Sequence, residues 1–110
     1  MKKILIILVL SFMLCGCNNK ETKTIEEIMK ENNYIIVDVR TKEEYNEGHV
    51  VDALNIPYDV IENSNLDKNK TIFVYCKSGN RSNIAYNKLS NLGYDVYDLG
   101  AFNEIDLPKE

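Results

Sequence analysis

Apolar residues in this chain fall into short blocks separated by polar turns, and strand-like blocks alternate with helix signals. Tyr34-Ile35-Ile36-Val37-Asp38-Val39 and Thr71-Ile72-Phe73-Val74-Tyr75 are nearly continuous runs rich in β-branched residues, the pattern of strands buried on both faces. Ala53-Leu54-Asn55-Ile56 is a briefer strand stopped by Pro57, which opens a short helix through Asn63. Asp95-Val96-Tyr97-Asp98-Leu99 is the last strand, after which Gly100 turns the chain into a short terminal helix. Thr24-Ile25-Glu26-Glu27 and Thr41-Lys42-Glu43-Glu44 are capping boxes, each opening a helix by satisfying free amides of its first turn. Ile25, Ile28 and Met29 give the first helix an apolar face, and Gly48 closes the second in a left-handed position. Ser82 caps a helix running to Leu92, with Ile84, Ala85, Leu89 and Leu92 inward and Gly93 as its stop. This alternation predicts an α/β fold: a small, mainly parallel sheet with helices on both faces.

The N-terminus follows a different logic. Lys2 and Lys3 precede an apolar run from Ile4 to Leu14 broken only by Ser11. Crossing a bilayer takes about 20 apolar residues, so the run reads as a secretory signal. Leu14-Cys15-Gly16-Cys17 resembles the bacterial lipoprotein box, in which the final Cys receives the lipid; an ordinary signal peptide with an incidental Cys is the alternative. The reading assigns residues 1–16 to a lipoprotein signal peptide, 17–23 to a polar tether and 24–107 to the folded domain. Cys17 is then the lipidated residue, and the chain sits lipid-anchored on the extracytoplasmic side of the cell membrane.

Processing changes the charge and the cysteine count. The whole chain carries 13 basic and 17 acidic residues, a net of −4. Loss of Lys2 and Lys3 leaves 11 against 17, a net of −6. Such a balance argues against a nucleic-acid partner, which calls for concentrated positive charge. Of three cysteines, only Cys76 remains a free thiol. Exported proteins usually pair their cysteines or lack them, so a solitary one is a candidate reactive group as well as a candidate small core residue. One His and one free Cys cannot build a metal site, and no cofactor is expected.

The surroundings of Cys76 favour reactivity. Cys76-Lys77-Ser78-Gly79-Asn80-Arg81-Ser82 joins a buried strand to a helix N-terminus, the end of an α/β sheet where ligands bind. Successive amides of a tight loop and the dipole of the following helix make an anion cradle. Together with the Arg81 charge they should favour a thiolate, as settings that bring Cys pKa values down to about 3.5–7.5 do. Gly79 permits the sharp loop. Lys77 either adds a second cation for anionic donors or is simply solvated.

These residues resemble the rhodanese domain of sulfurtransferases over about residues 24 to 106. The landmarks are Asp38-Val39-Arg40, Glu44-Tyr45, Gly48-His49-Val50, Ala53-Leu54-Asn55-Ile56-Pro57, the loop Cys76-x-x-Gly79-x-Arg81-Ser82, then Leu92-Gly93-Tyr94 and Leu99-Gly100-Ala101. Asp52 and Ala101 depart from positions where the family has Gly. The resemblance implies that Cys76 takes sulfur from a small anionic donor such as thiosulfate, holds it as a persulfide and passes it to a thiol or cyanide. Lys77, Ser78, Gly79, Asn80, Arg81 and Ser82 would then bind the donor in a monomeric protein. Asp38, Arg40, Glu44 and His49 are read as structural support: Asp38 bonding amides near the loop, Arg40 pairing with Glu44, and His49 hydrogen-bonding rather than acting as a base. Cysteine phosphatases place Arg six positions after Cys; here Arg81 is five after, and the loop suits a sulfur atom better than a phosphoryl group. The alternatives are a non-catalytic sulfur carrier or binding module, and a thiol redox protein needing a partner thiol.

Overall fold

The computed structural model describes residues 24–110. The chain divides into a unit ending at Glu31 and a second spanning Asn32–Glu110. In the first, helix α1 (Ile25–Lys30) is opened by Thr24, whose hydroxyl accepts the Glu27 amide at 3.1 Å while the Glu27 carboxylate accepts the Thr24 amide at 2.9 Å. A helix this short is marginal by propensity, so satisfying its orphan donors matters.

The second unit holds four strands: β1 (Tyr34–Asp38), β2 (Leu54–Asn55), β3 (Thr71–Cys76) and β4 (Val96–Ala101), all parallel in the order β2-β1-β3-β4. Helices α2 (Lys42–Glu47) and α3 (Asn80–Asn91) lie in the connections. The predicted parallel α/β class is what the structure has. β1 and β3 are in register from Tyr34 opposite Thr71 to Asp38 opposite Tyr75, so alternate residues of both strands share a face. Val37, Val39, Ile72, Val74 and Cys76 pack with Ile61, Ala85 and Leu89, which places α3 and a 3₁₀ turn at Ile61–Asn63 on that face. The opposite face is aromatic: Phe73 lies 5.7 Å from Tyr34 and 5.6 Å from Tyr97, and Tyr75 stacks at 5.7 Å on Phe102 from a 3₁₀ turn at Phe102–Glu104. Among the described residues no helix is long and apolar enough to cross a membrane.

Several expected boundaries move. α3 is capped by Gly79 and starts at Asn80, so Ser82 sits inside the first turn rather than at the cap. Only Ser82, Ala85 and Leu89 of this helix are buried; Ile84 and Leu92 are exposed, because the sheet accepts a narrower stripe than the sequence offers. Pro57 leads into a turn and a single 3₁₀ turn, not an α-helix. Gly48 adopts φ 153°, ψ 140°, well outside the left-handed helical region. Gly100 does not end the strand. The pairing steps from Val74 opposite Asp98 to Tyr75 opposite Gly100, a bulge that Gly100 takes up at φ 85° before β4 continues to Ala101.

Candidate active site

β3 ends at Cys76, and the chain turns at once into α3 through Lys77, Ser78 and Gly79. Gly79 makes this possible by adopting φ 99°, a conformation that side-chain-bearing residues rarely take. The turn folds back on the sulfur. The Gly79 amide donates to Cys76 Sγ at 2.9 Å, and the thiol reaches Ser82 Oγ at 3.4 Å. The Ser82 hydroxyl donates onward to the Gly79 carbonyl at 3.1 Å. Burial pushes the Cys76 thiol up. On loss of the thiol proton the Ser82 hydroxyl is free to turn from the Gly79 carbonyl and donate to the sulfur; with the backbone amides of Ser82, Gly79 and Ser78 it outweighs burial, so the net direction is down, toward thiolate. The residue has 0% exposure, whereas Lys77 and Ser78 on its rim are exposed. Reaction at sulfur therefore requires this short loop to open.

Arg81 is not the partner of the thiolate that its position in sequence suggests. Its guanidinium forks onto Glu44, Nη1 to Oε1 at 2.8 Å and Nη2 to Oε2 at 3.0 Å. Glu44 is held in turn by the Thr41 amide at 3.1 Å, so one carboxylate both caps α2 and ties it to the first turn of α3. This hydrogen-bonded arginine brings the Glu44 carboxyl down to about 2, against an opposing push from burial. Arg81 is raised by the same bond.

The expected Arg40–Glu44 pair does not form, because Arg40 precedes the helix cap and its side chain turns inward. Arg40 clasps Asp38 instead: Nη2 lies 2.6 Å and Nε 3.0 Å from Oδ2, with the Arg40 amide donating to Oδ1 at 2.9 Å. Arg40 Nη2 also donates to the Gly48 carbonyl at 2.7 Å. Asp38 thus bonds the Arg40 amide and guanidinium, not amides of the Cys76 loop. Both groups are buried, and removing either would leave an uncompensated charge. His49 lies away from the sulfur: Nδ1 is 2.8 Å from the Tyr45 carbonyl, Nε2 is 3.3 Å from a Glu110 carboxylate oxygen, and the ring stacks on Tyr45 at 3.8 Å. Asn80 opens α3 with its side chain exposed. Cys17 lies outside the described residues. Among the described residues no group of metal-ligating side chains comes together.

Two supporting residues escape a reading of the sequence. The Tyr75 hydroxyl donates to Asp38 Oδ2 at 2.8 Å and accepts the Val50 amide at 3.0 Å. The Asn55 amide group donates to the carbonyls of Asp38 and Arg40, each at 3.1 Å. A tyrosine within an otherwise apolar strand is the available signal, since its buried hydroxyl must find partners.

Comparison with known proteins extends this picture. Residues 21–106 match the profile of the rhodanese-like domain. The chain is 40% identical over 78 residues to the thiosulfate sulfurtransferase PspE of Escherichia coli (strain K12), spanning 66% of this chain and 75% of that protein. It is 31% identical to the adenylyltransferase and sulfurtransferase uba4 of Ogataea parapolymorpha, but covers only 20% of that longer protein. A solved structure of a rhodanese with anions from E. coli has a TM-score of 0.65 at 36% identity, covering 70% of this chain and 96% of that one. The rhodanese-like domain of the Alr3790 protein from Anabaena sp. gives 0.63 at 29% identity, covering 70% and 98%. The matched span takes in the parallel sheet and the Cys76 loop alike, and the chain belongs to the rhodanese-like domain family.

Proposed function

We propose that this chain is a sulfurtransferase that carries a sulfane sulfur on Cys76. The observation that carries the reading is the Gly79 amide aimed at Sγ at 2.9 Å, with the thiol drawn toward thiolate. A group so held is a nucleophile, and the same amides suit a negatively charged persulfide. In the first half-reaction the thiolate attacks the outer sulfur of thiosulfate. The sulfur–sulfur bond of the donor breaks and sulfite leaves with its electron pair. In the second, cyanide or an acceptor thiolate attacks the outer sulfur of the persulfide, forming thiocyanate or an acceptor persulfide and returning Cys76 as thiolate. Similarity to a thiosulfate sulfurtransferase supports this donor class.

Mass spectrometry of the purified protein after thiosulfate tests the reading. One sulfur should be gained on Cys76 and lost again on adding cyanide, and Cys76→Ser should gain none. A sulfur loaded but never passed on would mean a carrier, and mixed disulfides without sulfur gain would mean a redox protein. We also propose that residues 1–16 are removed, that 17–23 tether the domain of residues 24–107, and that a lipid on Cys17 holds the monomer on the extracytoplasmic face of the cell membrane. The support is Leu14-Cys15-Gly16-Cys17 at the end of a short apolar run. A Cys17→Ser variant still fractionating with membranes would refute it.

A further inference from the structure

A cavity of about 220 Å³ beside the active loop has no part in the chemistry described so far. Lys77 lines it, one residue from Cys76 and so about 3.8 Å away at Cα. The Lys77 ammonium is exposed and makes no hydrogen bond or ion pair among the described residues. Arg40 lines the same space with a side chain only 6% exposed. Its Nε and Nη2 are taken by Asp38 and the Gly48 carbonyl, while Nη1 has no hydrogen-bond partner among the described residues. The guanidinium lies 4.4 Å over the Phe102 ring, which also faces the cavity. A buried N–H group of this kind lacks an acceptor. On the α2 wall Glu44 is neutralised by Arg81, but Glu47 is exposed and unpaired among the described residues. Among the described residues the cavity thus offers one free cation at Lys77, one unpartnered N–H of the Asp38-paired Arg40 guanidinium and one free carboxylate at Glu47.

That arrangement complements a zwitterion. We propose that the cavity seats the amino-acid end of a small thiol that accepts sulfur from Cys76. Its carboxylate lies on Lys77 and Arg40 Nη1, and its ammonium on Glu47. The inference rests on the sulfurtransferase reading. The acceptor thiol gives its proton to solvent and attacks the outer sulfur of the persulfide. A sulfur–sulfur bond forms in the acceptor, the bond from that sulfur to Cys76 Sγ breaks, and Sγ keeps the electron pair.

The test separates the two readings. Cys76 is loaded with thiosulfate, excess donor is removed, and single-turnover loss of the persulfide is followed with cysteine, cysteamine, 3-mercaptopropionate and 2-mercaptoethanol. Rates are normalised to 2-mercaptoethanol in the same protein, which cancels changes in the persulfide itself. Glu47 is exposed, so Glu47→Lys should fold. Reversing one exposed charge should shift the cysteamine to 3-mercaptopropionate ratio toward the acid by about 5- to 10-fold. Lys77→Ala should shift it the other way by about threefold. Normal loading with ratios unchanged within about twofold in both variants, against this expectation, would overturn the acceptor site alone. Failure of the unaltered protein to load would overturn both readings.

Discussion

Replacing Glu44 by Gln isolates the charge that ties α2 to α3. Gln keeps a carbonyl for the Thr41 amide but loses the ionic fork onto Arg81, whose two bonds measure 2.8 and 3.0 Å. The folded protein holds the Glu44 carboxyl at about 2 rather than 4.5. At about 1.4 kcal/mol per pH unit, that difference sets an upper bound of about 3.5 kcal/mol on its contribution to stability. The pair is about a quarter exposed, with Arg81 at 27% and Glu44 at 25%, so solvent screens it. A contribution of about 1 kcal/mol is the realistic figure. In a domain of this size that lowers the melting temperature by about 4–8 °C. Because the folded-state value lies below the unfolded one, the stabilisation is complete above about pH 5.5 and drains away as pH falls from 4.5 toward 2. Urea denaturation of both proteins at about pH 7 and about pH 2 reads this directly. The gap in midpoint should be open at the higher pH and nearly closed at the lower. An equal gap at both would show that the Glu44 charge does not hold the two helices.

Two further outcomes follow from local geometry. Ser82→Ala removes a hydroxyl 3.4 Å from the sulfur, and the inflection in alkylation rate against pH should move upward; an unmoved inflection would mean the backbone amides alone set the thiolate. Asp52 is held at φ 70°, so Asp52→Gly should raise stability by about 0.5–1 kcal/mol in thermal melts, and a loss would show that the Asp side chain compensates its own strain.

The parts of the fold visible in sequence are those specified locally. β1 and β3 are read from continuous β-branched runs, and both capping boxes form as Thr24 and Thr41 predict. What the sequence conceals depends on which surfaces meet. Ser is a favoured helix cap, but Gly79 takes that place because the loop needs its positive φ, which frees Ser82 to turn back on the sulfur. The spacing of Arg40 and Glu44 suggests a pair only if both sit on one helix, and Arg40 lies before the cap. Arg81, distant in sequence, reaches Glu44 because the two helices begin at the same end of the sheet. Ile84 and Leu92 look like core until α3 is set down along Ala85 and Leu89.

The complete burial of Cys76 has a chemical consequence beyond acid–base balance. Thiolates are also the targets of peroxides, which drive cysteine to sulfenic acid and then irreversibly to sulfinic and sulfonic acids. An ionised sulfur on an open surface would be consumed by that route. Here the closed turn of Lys77 to Gly79 leaves the sulfur no exposed surface for an oxidant to reach. Loop closure therefore sets the working lifetime of the thiol, and Gly79→Ala, strained at φ 99°, should shorten it.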